Sequence, residues 1–305
     1  CNSTIGHLAG MQQNGGTESA RKHTKLIVGP WSHPTIGQRK LGDADFGPQA
    51  QVDITDILIR WFNFWLKDAE NGMEKEPAVR YFMMGAKKWR SSSTWPPHSL
   101  QTVLYMGGSS PDALSLSEDA TEAESSVDYT YDPHDPVPTL WDRNLFTSAG
   151  DRNKLNHRTD ILRFRTEPLE EEIDVAGNPE VVLYAKSSAI DTDFFARLVD
   201  EDPEGGPAIE VSYGLVRARH RDSLDEEDFL TSNKVTEFRI KLGPTANSFR
   251  VGHRIRVEIT SSDFPNHDRN HNTGGKDLEE SEMQNAEQTI LCGGEFTTRI
   301  ILPVV

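Results

Sequence analysis

Cysteine is nearly missing from this chain: Cys1 and Cys292 are the only two in 305 residues. That is too few for a disulfide framework and too few for a cysteine-built zinc site. No apolar run approaches the roughly 18 residues that a membrane helix needs, so no membrane partner is expected. Positive charge is short as well, since 32 Lys and Arg against 48 Asp and Glu leave a net charge of -16. Nucleic acid is excluded as a partner on that ground, because phosphate backbones need basic surfaces. Also absent is the pentapeptide G-x-S-x-G that seats a serine nucleophile on a strand-to-helix elbow. Gly6-His7-Leu8-Ala9-Gly10 has the glycine spacing, but leucine stands at its centre.

What remains is a chain with 35% hydrophobic residues and a mean hydropathy of -0.59, as in a soluble globular protein with a loop-rich polar surface. Its length suits two domains or one large one. The stretch Lys25–His33 organises it: the apolar run Leu26-Ile27-Val28 stops at Gly29-Pro30, and His33 follows three residues later. A buried parallel strand that ends so abruptly delivers a side chain at its carboxyl end, where ligands bind in open α/β sheets. A histidine there can take a proton near neutral pH, or it can simply be satisfied by loop carbonyls. The leading Cys-Asn-Ser-Thr suits a lipid-bearing mature end, but Gly6–Gly10 runs into the strand without a spacer, as inside a domain.

Residues 1–24 have weak helical patterning. Over Val52–Lys67 the apolar residues Ile54, Ile57, Leu58, Trp61, Phe62 and Trp65 recur at helical spacing, which predicts a helix packed on a sheet. Beyond Pro77 short β-rich runs take over, at Ala78–Met84, Thr102–Met106, Pro179–Ala185, Phe194–Val199, Ile209–Arg219, Val235–Leu242, Arg254–Thr260 and Thr297–Val304. Several alternate with period two, and their spacing predicts a β-sandwich or jelly roll. Gly107–Ser126 reads as an excursion. Asp263–Gln288 reads as irregular, with a short helix at Asp277–Asn285. The divide falls near Glu76.

Other residues that could carry chemistry are scattered. Ser32 adjoins His33, but adjacency in sequence does not make a hydrogen-bonded pair. His267 and His271 have metal-ligand spacing only on a helix, and flanking Pro265, Asn272 and Gly274 make a loop. Asp191 and Asp193 could hold calcium, or could cap a turn and face arginines. Arg217, Arg219 and Arg221 share a face if their strand extends that far, either as an anion stripe or as salt-bridge partners. Trp89 and Trp95 could form a sugar platform or pack at a domain boundary. No cofactor or metal is expected.

Gly29-Pro30-Trp31-Ser32-His33 resembles the catalytic-histidine motif of the CocE/NonD hydrolases, the group of cocaine esterase, X-Pro dipeptidyl-peptidases and α-amino acid ester hydrolases. The resemblance runs in order through Glu76–Gly85, Trp89 and Trp95-Pro96, Tyr131–Pro138, Arg158–Leu162, Ser187–Phe194, Gly252–Ile255, Ser261–Pro265 and Asp268–Gly275. It implies a mostly β chain: a C-terminal jelly-roll β-sandwich at 77–305, preceded at 1–76 by the last strand–helix segment of an α/β-hydrolase domain. It implies acyl transfer through a Ser-His-Asp triad with His33 as the catalytic histidine, acting on a small-molecule ester, amide or peptide. The serine and the aspartate are then expected upstream, so that the hydrolase segment is required and this chain alone is inactive. Val137-Pro138-Thr139-Leu140-Trp141-Asp142 departs from the glycine-rich continuation usual in that family. A β-sandwich binding module, for carbohydrate, is the alternative from another class. Compartment, cytoplasmic or exported, and oligomeric state, a homo-oligomer included, are left open.

Overall fold

The computed structural model describes residues 2–42, 44–140, 150–276 and 278–305. Helices Asn2–Asn14 and Glu18–His23 open the chain, and strand Leu26–Val28 follows. This strand pairs in parallel with Val79–Met83, placing Leu26 beside Val79 and Val28 beside Tyr81. Val79–Met83 then turns back antiparallel onto Lys88–Ser92, completing a three-stranded sheet that crosses from residue 26 to residue 92. Leu26, Val79, Tyr81, Met83 and Trp95 pack with Leu8 in one buried cluster, which anchors the first helix.

Helix Ile54–Lys67 begins where Asp53 accepts the amide of Asp56 at 3.1 Å, and it ends on Asp68 in the left-handed region at φ 52°. The expectation that it packs on a sheet is not met, because none of its residues is buried. On its apolar face Leu58 is 48% exposed, Phe62 53% and Trp65 39%. An amphipathic pattern records which face needs cover, and among the described residues that cover is partial: Ile54, Ile57 and Trp61 are half-buried, and the His23 ring meets Trp65 edge-on at 5.5 Å. Each such side chain left in water forgoes about 1.5–3 kcal/mol.

The remainder is mostly strand, joined among the described residues into one large sheet. Ala208–Arg217, Asp193–Glu201, Arg254–Thr260 and Leu162–Arg165 lie side by side, antiparallel. A single parallel pair, Ser115 with Arg165, links them to Ser115–Ser117, Leu100–Gly107, Arg299–Val304, Glu180–Ser187 and Ala286–Gly293. Thr236–Lys241 pairs with Glu180–Ser187 and not with Asp193–Glu201, yet the rings of Phe194 and Phe238 meet at 4.8 Å. The two arms of the sheet therefore face each other across a shared core that holds Phe164, Leu183, Phe194, Phe238, Val257 and Ile290.

Arg254–Thr260 forms over the span that its alternation predicts. The strand expected at Ile209–Arg219 stops at Arg217, and Ala218–His220 is a 3₁₀ turn, so Arg217, Arg219 and Arg221 do not share a strand face. Residues 278–285 form no helix. The excursion at Gly107–Ser126 contains a short strand, Ser115–Ser117.

Candidate active site

The parallel strand delivers its last apolar residue at Val28, and the chain then bends sharply. A Cβ on Gly29 would lie 2.4 Å from the indole of Trp31, so only glycine lets that ring fold back against the strand end. Trp31 Nε1 donates to the carbonyl of Ala50 at 3.1 Å, and its ring packs 5.8 Å from that of Trp89. The bend is thus pinned to the turn at Pro48–Ala50 and to the hairpin behind it.

Ser32 precedes a 3₁₀ turn over His33–Thr35. Its amide donates to Thr35 Oγ1 at 3.0 Å, and the two hydroxyls lie 2.9 Å apart. The Ser32 hydroxyl is therefore engaged with Thr35, as expected of a residue that is not paired with its neighbouring histidine. His33 stands on the first residue of the turn, exposed, and its side chain has no hydrogen-bond or ion-pair partner among the described residues. Such an imidazole is accessible from solvent.

The same bend forms one wall of a cleft of about 580 Å³. Phe46, Phe82 and Met84 line another side, and Tyr213 of strand Ala208–Arg217 and His267 line a third. His267 rests edge-on to Phe195 at 5.3 Å and to Tyr213 at 6.1 Å. Burial pushes its pKa below the usual histidine range, partly opposed by Asp263, so the ring is neutral near pH 7. This role for His267 was not legible beforehand, because it depends on contacts with residues 54 and 72 positions away.

The other sequence candidates resolve into structure. Asn270 Nδ2 donates to Asp191 Oδ2 at 2.8 Å and to Asp193 Oδ1 at 2.9 Å. Arg217 grips Asp193 with two bonds of 2.9 Å, and Arg219 Nε lies 3.1 Å from Asp191. Those carboxylates are spent on arginine and asparagine, which leaves no cation cage. Burial raises the pKa of Asp193, against Arg217. Arg221 pairs with Asp228. His271 Nδ1 approaches Glu280 at 3.6 Å, away from His267, and no group of three metal-ligating side chains occurs among the described residues. Trp95 is buried against Tyr81 at 5.5 Å, and Trp89 donates to Gln49 at 2.8 Å while packing on Phe82, so the pair forms no open sugar platform.

Residues 71–301 match the family model of the X-Pro dipeptidyl-peptidase C-terminal non-catalytic domain, so His33 lies outside the matched span. The chain is similar to cocaine esterase of Rhodococcus sp. (strain MB1 Bresler), with 37% identity over 92% of this chain and 51% of that protein. A serine esterase of Mycobacterium bovis, named as putative, is 27% identical over 78% of this chain and 40% of its own length. Among solved structures, an α-amino acid ester hydrolase superposes with a TM-score of 0.82 at 30% identity, covering 92% of this chain and 50% of that one. An aminopeptidase from a marine sediment archaeon, Thaumarchaeota archaeon, gives a TM-score of 0.81 at 28% identity, covering 92% and 49%. The chain therefore spans about half the length of these relatives or less. By the family model and these likenesses, it belongs to the X-Pro dipeptidyl-peptidase C-terminal domain family and corresponds to the C-terminal portion of a CocE/NonD-type hydrolase.

Proposed function

We propose that this chain is part of a serine hydrolase acting on esters or amides, peptides included, and that His33 is its general base. The observation that carries the proposal is the placement of His33: exposed and unpartnered among the described residues, at the carboxyl end of a parallel strand. In the mechanism, a serine supplied from upstream attacks the carbonyl carbon and His33 takes its proton. The imidazolium then protonates the leaving group, and an upstream aspartate holds the ring's tautomer. Water resolves the acyl-enzyme by the same route.

In this account the segment that shares a sheet with Leu26–Val28, through Ser92, closes the α/β-hydrolase domain, and the large sheet from Leu100 onward is a jelly roll that performs no chemistry of its own. Two features support a required upstream segment. Strand Leu26–Val28 is the edge of its sheet, and Leu58, Phe62 and Trp65 on the apolar face of helix Ile54–Lys67 remain exposed.

The test is a fluorophosphonate probe together with a p-nitrophenyl ester assay, run on this chain and on the polypeptide that carries a serine elbow ahead of it. The chain alone should neither label nor turn over, and the longer polypeptide should do both. Labelling of a serine within these 305 residues would overturn the proposal.

A further inference from the structure

Helix Ile54–Lys67 presents two different sides. Ile57, Trp61 and Phe64 are half-buried and mark the side turned toward the rest of the chain. At about 100° per residue, Ile59 and Leu66 lie within roughly 20° of each other and roughly 140–180° from those three. They are 55% and 76% exposed. With Thr55 and Phe62 they form one outward stripe, spaced four, three and four residues apart. An upstream segment docked on the flank of Leu58 and Trp65, where His23 already meets Trp65, leaves Ile59 and Leu66 facing outward.

Charge selects what the stripe can meet. The chain has a net charge of -16, so most of its surface repels a second copy. Helix Ile54–Lys67 is an exception, with one acid, Asp56, against Arg60 and Lys67. Arg60 is taken by Glu76 at 2.8 Å. Asp56 and Lys67 are exposed, and neither side chain has an ion-pair partner among the described residues. They lie 11 positions apart on the same flank of the stripe, within roughly 20° of each other around the helix axis.

We propose that two copies of this chain pair through the stripe, their helices antiparallel about a twofold axis that crosses midway between Asp56 and Lys67. A twofold axis brings the same flank of each helix together, so Asp56 faces the partner's Lys67 and Lys67 faces the partner's Asp56. In that register Ile59 falls midway between the partner's Phe62 and the partner's Leu66. Leu66 falls midway between the partner's Thr55 and the partner's Ile59, so the side chains of one stripe enter the gaps of the other. One helix of 14 residues on another covers well under the roughly 1,200 Å² of a stable complex, so the pairing is weak and needs concentrated protein. In dilute solution the stripe is open to solvent.

Sedimentation velocity on this chain, from about 5 to about 500 µM, should show the mass climbing from 34.2 kDa toward twice that value. A constant 34.2 kDa overturns the proposal. The double variant Ile59→Lys with Leu66→Lys should stay monomeric throughout, with an unchanged circular dichroism spectrum. Undiminished association of that variant places the contact elsewhere and overturns it. Asp56→Lys should weaken pairing at least fivefold, and adding Lys67→Asp should restore it to within twofold. Failure of the restoration, with both variants folded, overturns the antiparallel register. A cross-link supplies the second reading if the charge variants disturb the helix ends. In a Cys1→Ser background, Phe62→Cys, beside the axis, should join two chains through a short bismaleimide, and Asp56→Cys should not. Equal cross-linking of both overturns the register. The polypeptide that carries the upstream segment should associate with the same dependence on Ile59 and Leu66. If it stays monomeric while this chain pairs, the stripe is covered by the upstream segment, and the proposal is overturned.

Discussion

Arg152 and Glu258 form an ion pair inside the protein: Nε donates to Oε2 at 2.9 Å across 106 positions of sequence. Arg256 donates to the other carboxylate oxygen, and Arg163 lies 4.0 Å from it. Burial alone would raise the Glu258 pKa, but the arginines outweigh it and hold the carboxyl at about 2. The pair ties the segment after residue 150 onto strand Arg254–Thr260.

The folded-state pKa of Glu258 is depressed from 4.5, so its contribution to stability is present above about pH 4.5 and is lost as pH falls toward 2. Glu258→Gln should destabilise the chain by about 3–5 kcal/mol at pH 7, because it leaves buried arginines uncompensated. The difference between the two proteins, read by urea denaturation, should shrink between pH 4.5 and pH 2. A constant difference across that range would contradict the assignment.

Gly29→Ala drives a methyl into the Trp31 indole at 2.4 Å. The expected cost is about 1–3 kcal/mol of overpacking, with Trp31 emission shifted to the red as its bond to Ala50 is lost. Gly16→Ala, which has nothing within 4 Å of the added carbon, is the control and should move the midpoint little.

Exposed apolar side chains on helix Ile54–Lys67 should bind 1-anilinonaphthalene-8-sulfonate. The double variant Ile59→Lys with Leu66→Lys should lose at least half of that fluorescence with the thermal midpoint nearly unchanged. Undiminished dye fluorescence would place the patch elsewhere.

Cys292 is buried, and burial pushes its thiol up to about 12. In a Cys1→Ser background it should resist thiol reagents at pH 8 until the protein unfolds. Fast native-state labelling would show that strand Ala286–Gly293 opens readily.

Elements whose two faces differ were the most legible in the sequence. Ile255, Val257 and Ile259 alternate with charged residues, and their strand forms over the expected span. That pattern does not reveal that Arg256 and Glu258 are also fully buried, because their burial depends on Arg152 arriving from a distant segment. Strand Ser126–Tyr131 also buries alternate residues, Val127, Tyr129 and Tyr131, but its polar partners diluted the signal. Helix Ile54–Lys67 was visible by its period, whereas the cover for its apolar face is a tertiary property that no local pattern carries. At the site, His33 could be read from the strand that ends before it. Tyr213 and His267 could not, since the cleft exists only where the β-rich part of the chain meets the bend.

The central claim concerns His33, and the most direct measurement is kcat for a p-nitrophenyl ester in the polypeptide that carries the upstream serine. His33→Ala should lower kcat by roughly 10³-fold or more, with the fold intact by circular dichroism. Activity within tenfold of the parent would remove His33 from the mechanism.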